Sequence, residues 1–188
     1  MIDYIIAYHC APALAGIKPA NIFSCLRRDY PNAEEELERL NTCLNSSGIY
    51  FEILCSCERR VMVMIYRKSR LEAYIRRAEI SRLLKDYGYP DEIDCGVYIE
   101  RLKERISSCG DFPHEIGAFL GYPIKDIYGF ILGSSECLHT GYWKVYDDVE
   151  SSKKCFKRYD MCRAAVMKRI NSGSTLESLF RARNTKCA

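Results

Sequence analysis

Two apolar runs in the first half of the chain have the composition of β-strands. The runs IYFEILCSC (49–57) and VMVMIYR (61–67) are rich in β-branched and aromatic residues, and the charged turn ERR separates them. They predict an antiparallel hairpin. A third run, ANIFSCL (20–26), predicts one more strand.

Helical periodicity covers most of the remaining chain. Leu37, Leu40 and Leu44 recur at helical spacing, and the apolar phase shifts within segment 69–87, which predicts two consecutive helices there. Further helices are predicted over 94–107, 124–132 and 149–170, and YWKVYDD (142–148) has a strand-like pattern. The sequence STLE (174–177) predicts a capping box that opens a last short helix.

The tripeptide Gly-Tyr-Pro occurs twice, at 88–90 and at 121–123. In both places it follows one predicted helix and precedes another. Glycine supplies the left-handed residue after a helix, tyrosine packs back on the last turn, and proline prevents continuation. We expect both copies to have this structural role.

These elements predict a single α+β domain over residues 1–172, in which a small antiparallel sheet packs against several helices. Residues 173–188 are expected to form a short C-terminal helix and a loose tail. A chain of 188 residues is long enough for one domain with a hydrophobic core.

Composition and charge favour a cytoplasmic protein. No apolar stretch is long enough to span a membrane, and the first residues lack the pattern of a signal peptide. The eleven cysteines are an odd number in a chain of this size, which favours reduced thiols over a disulfide framework. Segment 149–188 has ten Lys or Arg against three Asp or Glu, so its charge is +7 and an acidic partner is one expectation.

The segment FPHEIGAFLGYP (112–123) is one candidate site. If Pro113 is the first helical residue, Glu115 lies in the first turn, where an acid favours the helix dipole. His114 then lies opposite the apolar side, beside Gly117 and Ala118, and these small residues leave room for a ligand. The alternative is a surface histidine and a glycine that admits a neighbouring helix.

Cys10 is a second candidate. Pro12 suggests a short helix that ends near Gly16, and Cys10 would lie just before the start of that helix, where the dipole favours a thiolate. This placement suggests a thiol-dependent hydrolase or transferase with Cys10 as nucleophile, His114 as base and Glu115 as a further catalytic residue. Residues 2–9 are apolar without a clean period, so either a helix or a strand is compatible with them.

Other residues could hold a metal or a cofactor. Cys137 and His139 lie in a loop rich in Gly and Ser, and with Cys10 and His114 they are candidate ligands for iron, haem iron or zinc. Tyr142 and Trp143 could line a pocket for a flat cofactor, and Lys18 could add positive charge. Nucleic-acid binding is supported only by the basic C-terminal segment.

Several of these segments, taken together, resemble an uncharacterised family. HCAPALAGIKPANIFSC (9–25), YGYP (87–90), FPHEIGAFLGYPIKDIYGFI (112–131) and GYWKVYDD (141–148) are similar to domain-of-unknown-function family 3793. The resemblance implies an anaerobic bacterial source and an association with flavodoxin and ferrous-iron transport, but it supplies no reaction.

Three functions therefore stay open. The leading expectation is a cytoplasmic binding or redox-accessory protein in iron or cofactor metabolism, linked to a metal, a haem or a flavodoxin. The first alternative is the thiol-dependent hydrolase or transferase. The second is a non-catalytic interaction module that docks an acidic protein through the segment after residue 149.

Overall fold

A three-stranded antiparallel sheet lies at the centre of the computed structural model, which describes residues 2–108, 112–133 and 136–182. Its strands are β1 (Ala20–Leu26), β2 (Ile49–Ser56) and β3 (Arg60–Arg67), in the order β1-β3-β2. The predicted hairpin is β2–β3, and the predicted third strand is β1. The α+β class with a small antiparallel sheet is confirmed.

The other elements are helices and one small hairpin. The helices are α1 (Ile2–Leu14), α2 (Ala33–Leu44), α3 (Lys68–Ile75), α4 (Ala78–Asp86), α5 (Cys95–Ser108), α6 (Ile116–Phe119), α7 (Ile124–Leu132), α8 (Val149–Asn171) and α9 (Leu176–Phe180). One 3₁₀ turn, Asn45–Ser47, precedes β2. Strands β4 (His139–Thr140) and β5 (Lys144–Val145) pair with each other, so the strand-like run at 142–148 forms only two residues of strand.

Alternation along β3 gives the sheet two apolar faces. Val61, Val63 and Ile65 pack into a core with α1, α2, α8 and α9. Met64 and Tyr66 pack into a second core with α3, α4, α5, α6 and α7. The sheet is therefore covered by helices on both sides, which explains why its strands are apolar at nearly every position.

The start of the chain differs from the prediction. Helix α1 runs continuously from Ile2 to Leu14 with Pro12 inside it, so Pro12 does not open a separate helix. Proline in a helix interior lacks an N–H and crowds the preceding turn. The buried side chain of Asn21 accepts a hydrogen bond of 3.1 Å from the backbone N–H of Ala13, which supports the chain at this point.

The capping box at the end of the chain is shifted by one residue from its predicted place. The side chain of Thr175 accepts from the backbone N–H of Ser178, and the side chain of Ser178 accepts from the N–H of Thr175. Asp3 of α1 accepts from the N–H of Leu176 at 3.0 Å, which ties α9 to the first helix. The predicted loose tail lies mostly at 183–188, outside the described residues. None of the helices in the described ranges is long and apolar enough to cross a membrane.

Candidate functional site

Both Gly-Tyr-Pro copies end a helix in the same way. Gly121 has a φ of +71°, and the N–H of Tyr122 donates to the carbonyl of Gly117 at 2.9 Å. Gly88 has a φ of +79°, and Tyr89 makes the equivalent bond to Leu84 at 3.1 Å. These bonds satisfy carbonyls that the end of a helix leaves free. The predicted structural role of the tripeptide agrees with this geometry.

Tyr122 also has a role that the sequence did not suggest. Its ring lies 5.2 Å from the Nζ of Lys18 and 4.9 Å from the ring of Trp143. Its O–H donates to the carbonyl of Tyr142 at 3.1 Å. The three residues predicted to bind a cofactor, Lys18, Tyr142 and Trp143, thus meet at one tyrosine that sequence reasoning treated only as a helix end.

An apolar cavity of about 410 Å³ opens beside Tyr122. Its walls are mainly aliphatic and aromatic, and His114 and Lys144 are the basic groups that line it. The lining residues are Phe112, Pro113, His114, Ile116, Gly117, Leu120, Tyr122, Asp126, Ile127, Phe130, Trp143 and Lys144. This volume lies within the range of small-molecule sites, about 300–1,000 Å³.

Segment 112–123, one of the candidate sites, supplies part of the lining of this cavity, and its local structure differs from the expectation. Pro113 and Glu115 are not helical, and α6 begins only at Ile116. His114 is exposed, and its ring meets the ring of Phe130 edge-on at 5.0 Å. Gly117 lines the cavity.

Gly117 and Ala118, the two small residues predicted beside His114, have different surroundings. A Cβ at Gly117 would lie only 3.0 Å from Ile127 and 3.2 Å from Tyr122, so the close approach of these side chains requires a glycine. Ala118, in contrast, is fully buried in the core. Gly117 therefore admits Ile127 of the neighbouring helix α7, which is the alternative to clearing room for a ligand beside His114.

Asp126 holds one wall of the cavity in place. Its carboxylate accepts from the indole N–H of Trp143 at 2.7 Å and from the backbone N–H groups of Tyr146 and Asp147 at 2.7 and 3.2 Å. These bonds join α7 to the segment around β5. Since a buried carboxylate with three donors is well satisfied, Asp126 is a positioning group and not a free acid for a ligand. Sequence patterns point to Asp126 only through its place in the first turn of α7.

Lys18 is almost fully buried, at 3% exposure. Burial lowers the pKa of its amine to about 8, while the electrostatic influence of the Cys10 and Cys155 thiols acts in the opposite direction. Its ammonium faces the rings of Tyr122 and Tyr159 at 5.2 and 5.9 Å. In the described parts of the chain no side chain or carbonyl accepts a hydrogen bond from this amine.

The premise for a Cys10 nucleophile was wrong. Cys10 lies inside α1, four residues from its C-terminal end, and not ahead of a helix N-terminus. It is fully buried, and desolvation raises the pKa of its thiol. Because the thiolate is the reactive form, this environment disfavours nucleophilic chemistry at Cys10.

Glu115, the third predicted catalytic residue, is completely buried and forms an ion pair with Arg105. The O–H of Tyr89 lies 3.5 Å from the same carboxylate oxygen. The other oxygen has no hydrogen-bond partner among the described residues.

The four predicted metal ligands do not come together. His114 lines the apolar cavity, Cys10 is buried in α1, and His139 lines a separate open groove with Tyr142. The thiol of Cys137 donates to the carbonyl of His139 at 3.2 Å. Within the described ranges, no group of three or more His, Cys, Asp or Glu side chains could hold a metal ion.

Comparison with known proteins identifies the family but no function. Neither a curated protein nor a solved structure matches the chain. One family model matches residues 6–180, which is nearly the whole chain, and its description is "Protein of unknown function (DUF3793)". The chain therefore belongs to the DUF3793 family.

Proposed function

We propose that this protein binds a small, largely apolar molecule that carries a planar ring and an acidic group. The observation that supports this proposal is the cavity of about 410 Å³ beside Tyr122. Apolar walls with a few convergent polar groups are typical of small-molecule sites.

The chemistry of the walls selects the ligand class. The rings of Phe130 and Trp143 line the cavity and give it aromatic surface that suits a planar group. The charge of Asp126 is already engaged by three donors, which leaves Lys144 and His114 as the groups available to a ligand's polar end. Both are basic, so an acidic substituent is the complementary choice.

Planar cofactors with acidic substituents, such as a haem or a flavin, belong to this class. His114 would be the residue that could bind the iron if the ligand were a haem, since histidine is a common haem ligand. Iron or cofactor metabolism in the cytoplasm is thus the biological setting that we propose. The nine described cysteines are all unpaired, which agrees with a reducing compartment.

Trp143 is the only tryptophan of the chain and lines the cavity, so its fluorescence reports on a ligand there. Protein prepared without oxygen is titrated with anilinonaphthalene sulfonate, haemin and flavin mononucleotide. We expect saturable quenching with at least one of them. Lys144→Gln and His114→Ala should each weaken binding by roughly tenfold, the value of one charge-assisted contact.

Two more variants sharpen this test. Leu120→Phe adds volume at a half-exposed wall of the cavity and should compete with the ligand. Lys68→Gln removes an exposed lysine that does not line the cavity and should leave binding unchanged. Absence of quenching by all three probes, together with no small molecule released on denaturation, would refute the proposal.

We also propose that an acidic redox protein such as a flavodoxin docks on α8. The supporting observation is an open groove lined by Lys153 and Lys157, by Arg163 in an ion pair with Asp160, and by the rings of Tyr142 and Phe156. Basic and aromatic side chains together suit an acidic partner surface.

The docking test uses charge reversal. Lys153→Glu with Lys157→Glu should abolish binding of a purified flavodoxin at low salt, and Lys68→Glu should not. Wild-type binding should weaken steeply as the salt concentration rises, because exposed charges are screened. Binding that persists in both the reversal variant and high salt would count against this surface.

A further inference from the structure

A second cavity, of about 310 Å³, has a strongly cationic lining. It shares no lining residue with the apolar cavity. Among the described residues, its charged side chains are Lys18, Arg70 and Arg77, and no carboxylate of those residues lines it. Three positive charges without an acid among them create a local potential that favours an anion.

Lys18 gives this cavity a largely buried amine. The side chain is 3% exposed, and no oxygen accepts a hydrogen bond from its amine in the described parts of the chain. The rings of Tyr122 and Tyr159 are its nearest compensating groups. A buried ammonium is normally paired, and an anion bound in this cavity would supply such a partner.

The two arginines stand seven residues apart on one side of α3 and the turn that follows it. Neither forms an ion pair within the described ranges. Arg77 stacks on the ring of Tyr74 at 4.6 Å, and the O–H of Tyr74 donates to the carbonyl of Tyr122 at 2.5 Å. This chain of contacts orients one guanidinium beside the cavity.

We propose that this cavity binds the phosphate group of a small phosphate monoester. Guanidinium groups present paired donors that match phosphate oxygens, and a buried lysine adds a point charge. The cavity is larger than a single phosphate group needs, which leaves room for the organic part of the ester. The proposal does not rest on the function proposed for the apolar cavity.

Isothermal titration calorimetry with inorganic phosphate and with phenyl phosphate tests the site on the full chain. Both should bind saturably, and the ester should bind more tightly because it fills more of the cavity. Arg77→Gln and Lys18→Met should each weaken phosphate binding at least tenfold, as expected for loss of one charge-assisted contact. Arg82→Gln removes an exposed positive charge on α4 that does not line the cavity, and it should bind like wild type.

Lys18 also gives the binding a pH dependence. Affinity should fall as the pH rises through about 8, where the lysine loses its proton. The other titratable side chains around it are Cys10, Cys155, Tyr122 and Tyr159. Burial raises the pKa of the Cys10 thiol and of both tyrosines, so these three groups stay neutral in that range.

The Lys18→Met variant separates the lysine from its neighbours, because all of them are retained in it. The fall in phosphate affinity that wild type shows near pH 8 should be absent from this variant. Three outcomes would overturn the proposal: no saturable phosphate binding, equal binding by Arg77→Gln and wild type, or tighter binding of citrate than of phenyl phosphate. Circular dichroism of each variant confirms that it is folded before its affinity is compared.

Discussion

Replacing Lys18 with methionine should make the unliganded protein more stable. Burial lowers the pKa of this amine from 10.5 to about 8. Each pKa unit corresponds to about 1.4 kcal/mol, so keeping the buried amine protonated at neutral pH costs on the order of 3 kcal/mol. Cation–π contacts with the rings of Tyr122 and Tyr159 offset roughly 0.5–2 kcal/mol of this cost. Methionine, unbranched and apolar, should therefore raise the free energy of unfolding by about 1–3 kcal/mol.

The pH dependence of the stability difference between Lys18→Met and wild type gives a stricter test. Between pH 8 and 10.5 the unfolded chain holds a proton on Lys18 that the native protein has lost, so the stability of wild type rises with pH relative to the variant. The advantage of Lys18→Met should shrink by about 2 kcal/mol between about pH 7 and pH 9.5.

Urea unfolding followed by the fluorescence of Trp143 measures both quantities. Lys68→Met, at an exposed position, controls for the loss of a charge alone. A Lys18→Met protein that is less stable than wild type at neutral pH would refute the reasoning. So would an advantage that does not change with pH.

Two further predictions concern backbone shape and thiol exposure. Gly121→Ala should lower the free energy of unfolding by about 2–4 kcal/mol, because φ is positive and a Cβ would lie 2.5 Å from Pro19. Gly173 also has a positive φ, but a Cβ there would meet open space, so Gly173→Ala should lower the free energy of unfolding by only about 1–2 kcal/mol. Equal losses in the two urea titrations would contradict the role of Pro19. In native protein, iodoacetamide should label Cys57 much faster than Cys10, because Cys57 is exposed with a thiol pKa lowered by backbone hydrogen bonds and Cys10 is buried. Mass spectrometry that found Cys10 labelled first would show that α1 opens readily.

Local sequence patterns were enough to predict the sheet and most helices. The β-branched and aromatic run at 61–67 predicts a strand whichever side of the sheet each residue faces, and both faces of β3 are in fact buried. The phase shift within segment 69–87 corresponds to the break between α3 and α4. These signals depend only on neighbours in the chain, so they can be read without knowledge of the fold.

Signals that depend on distant residues could not be read in this way. Pro12 is tolerated inside α1 where a hydrogen bond from Ala13 reaches Asn21 in a different element, and no local rule reports that partner. The candidate site has the same limitation. Lys18 and Trp143 were suspected separately, but only the folded chain shows that Tyr122 brings them together.

The first helix contacts the last part of the chain, for example where Asp3 accepts a hydrogen bond from Leu176, and this has a consequence for synthesis of the chain. Helix α1 packs on α8, where Cys162 contacts the carbonyl of Ala11, so one side of the first helix is covered only by the last part of the polypeptide. At translation rates of roughly 5–20 residues per second, α1 leaves the ribosome roughly 7–27 s before α8 begins. During that interval the apolar side of α1 is open to chaperones and to neighbouring nascent chains. A chain truncated before residue 149 therefore lacks α8 and α9 and cannot complete the core that these helices form with α1 and α2.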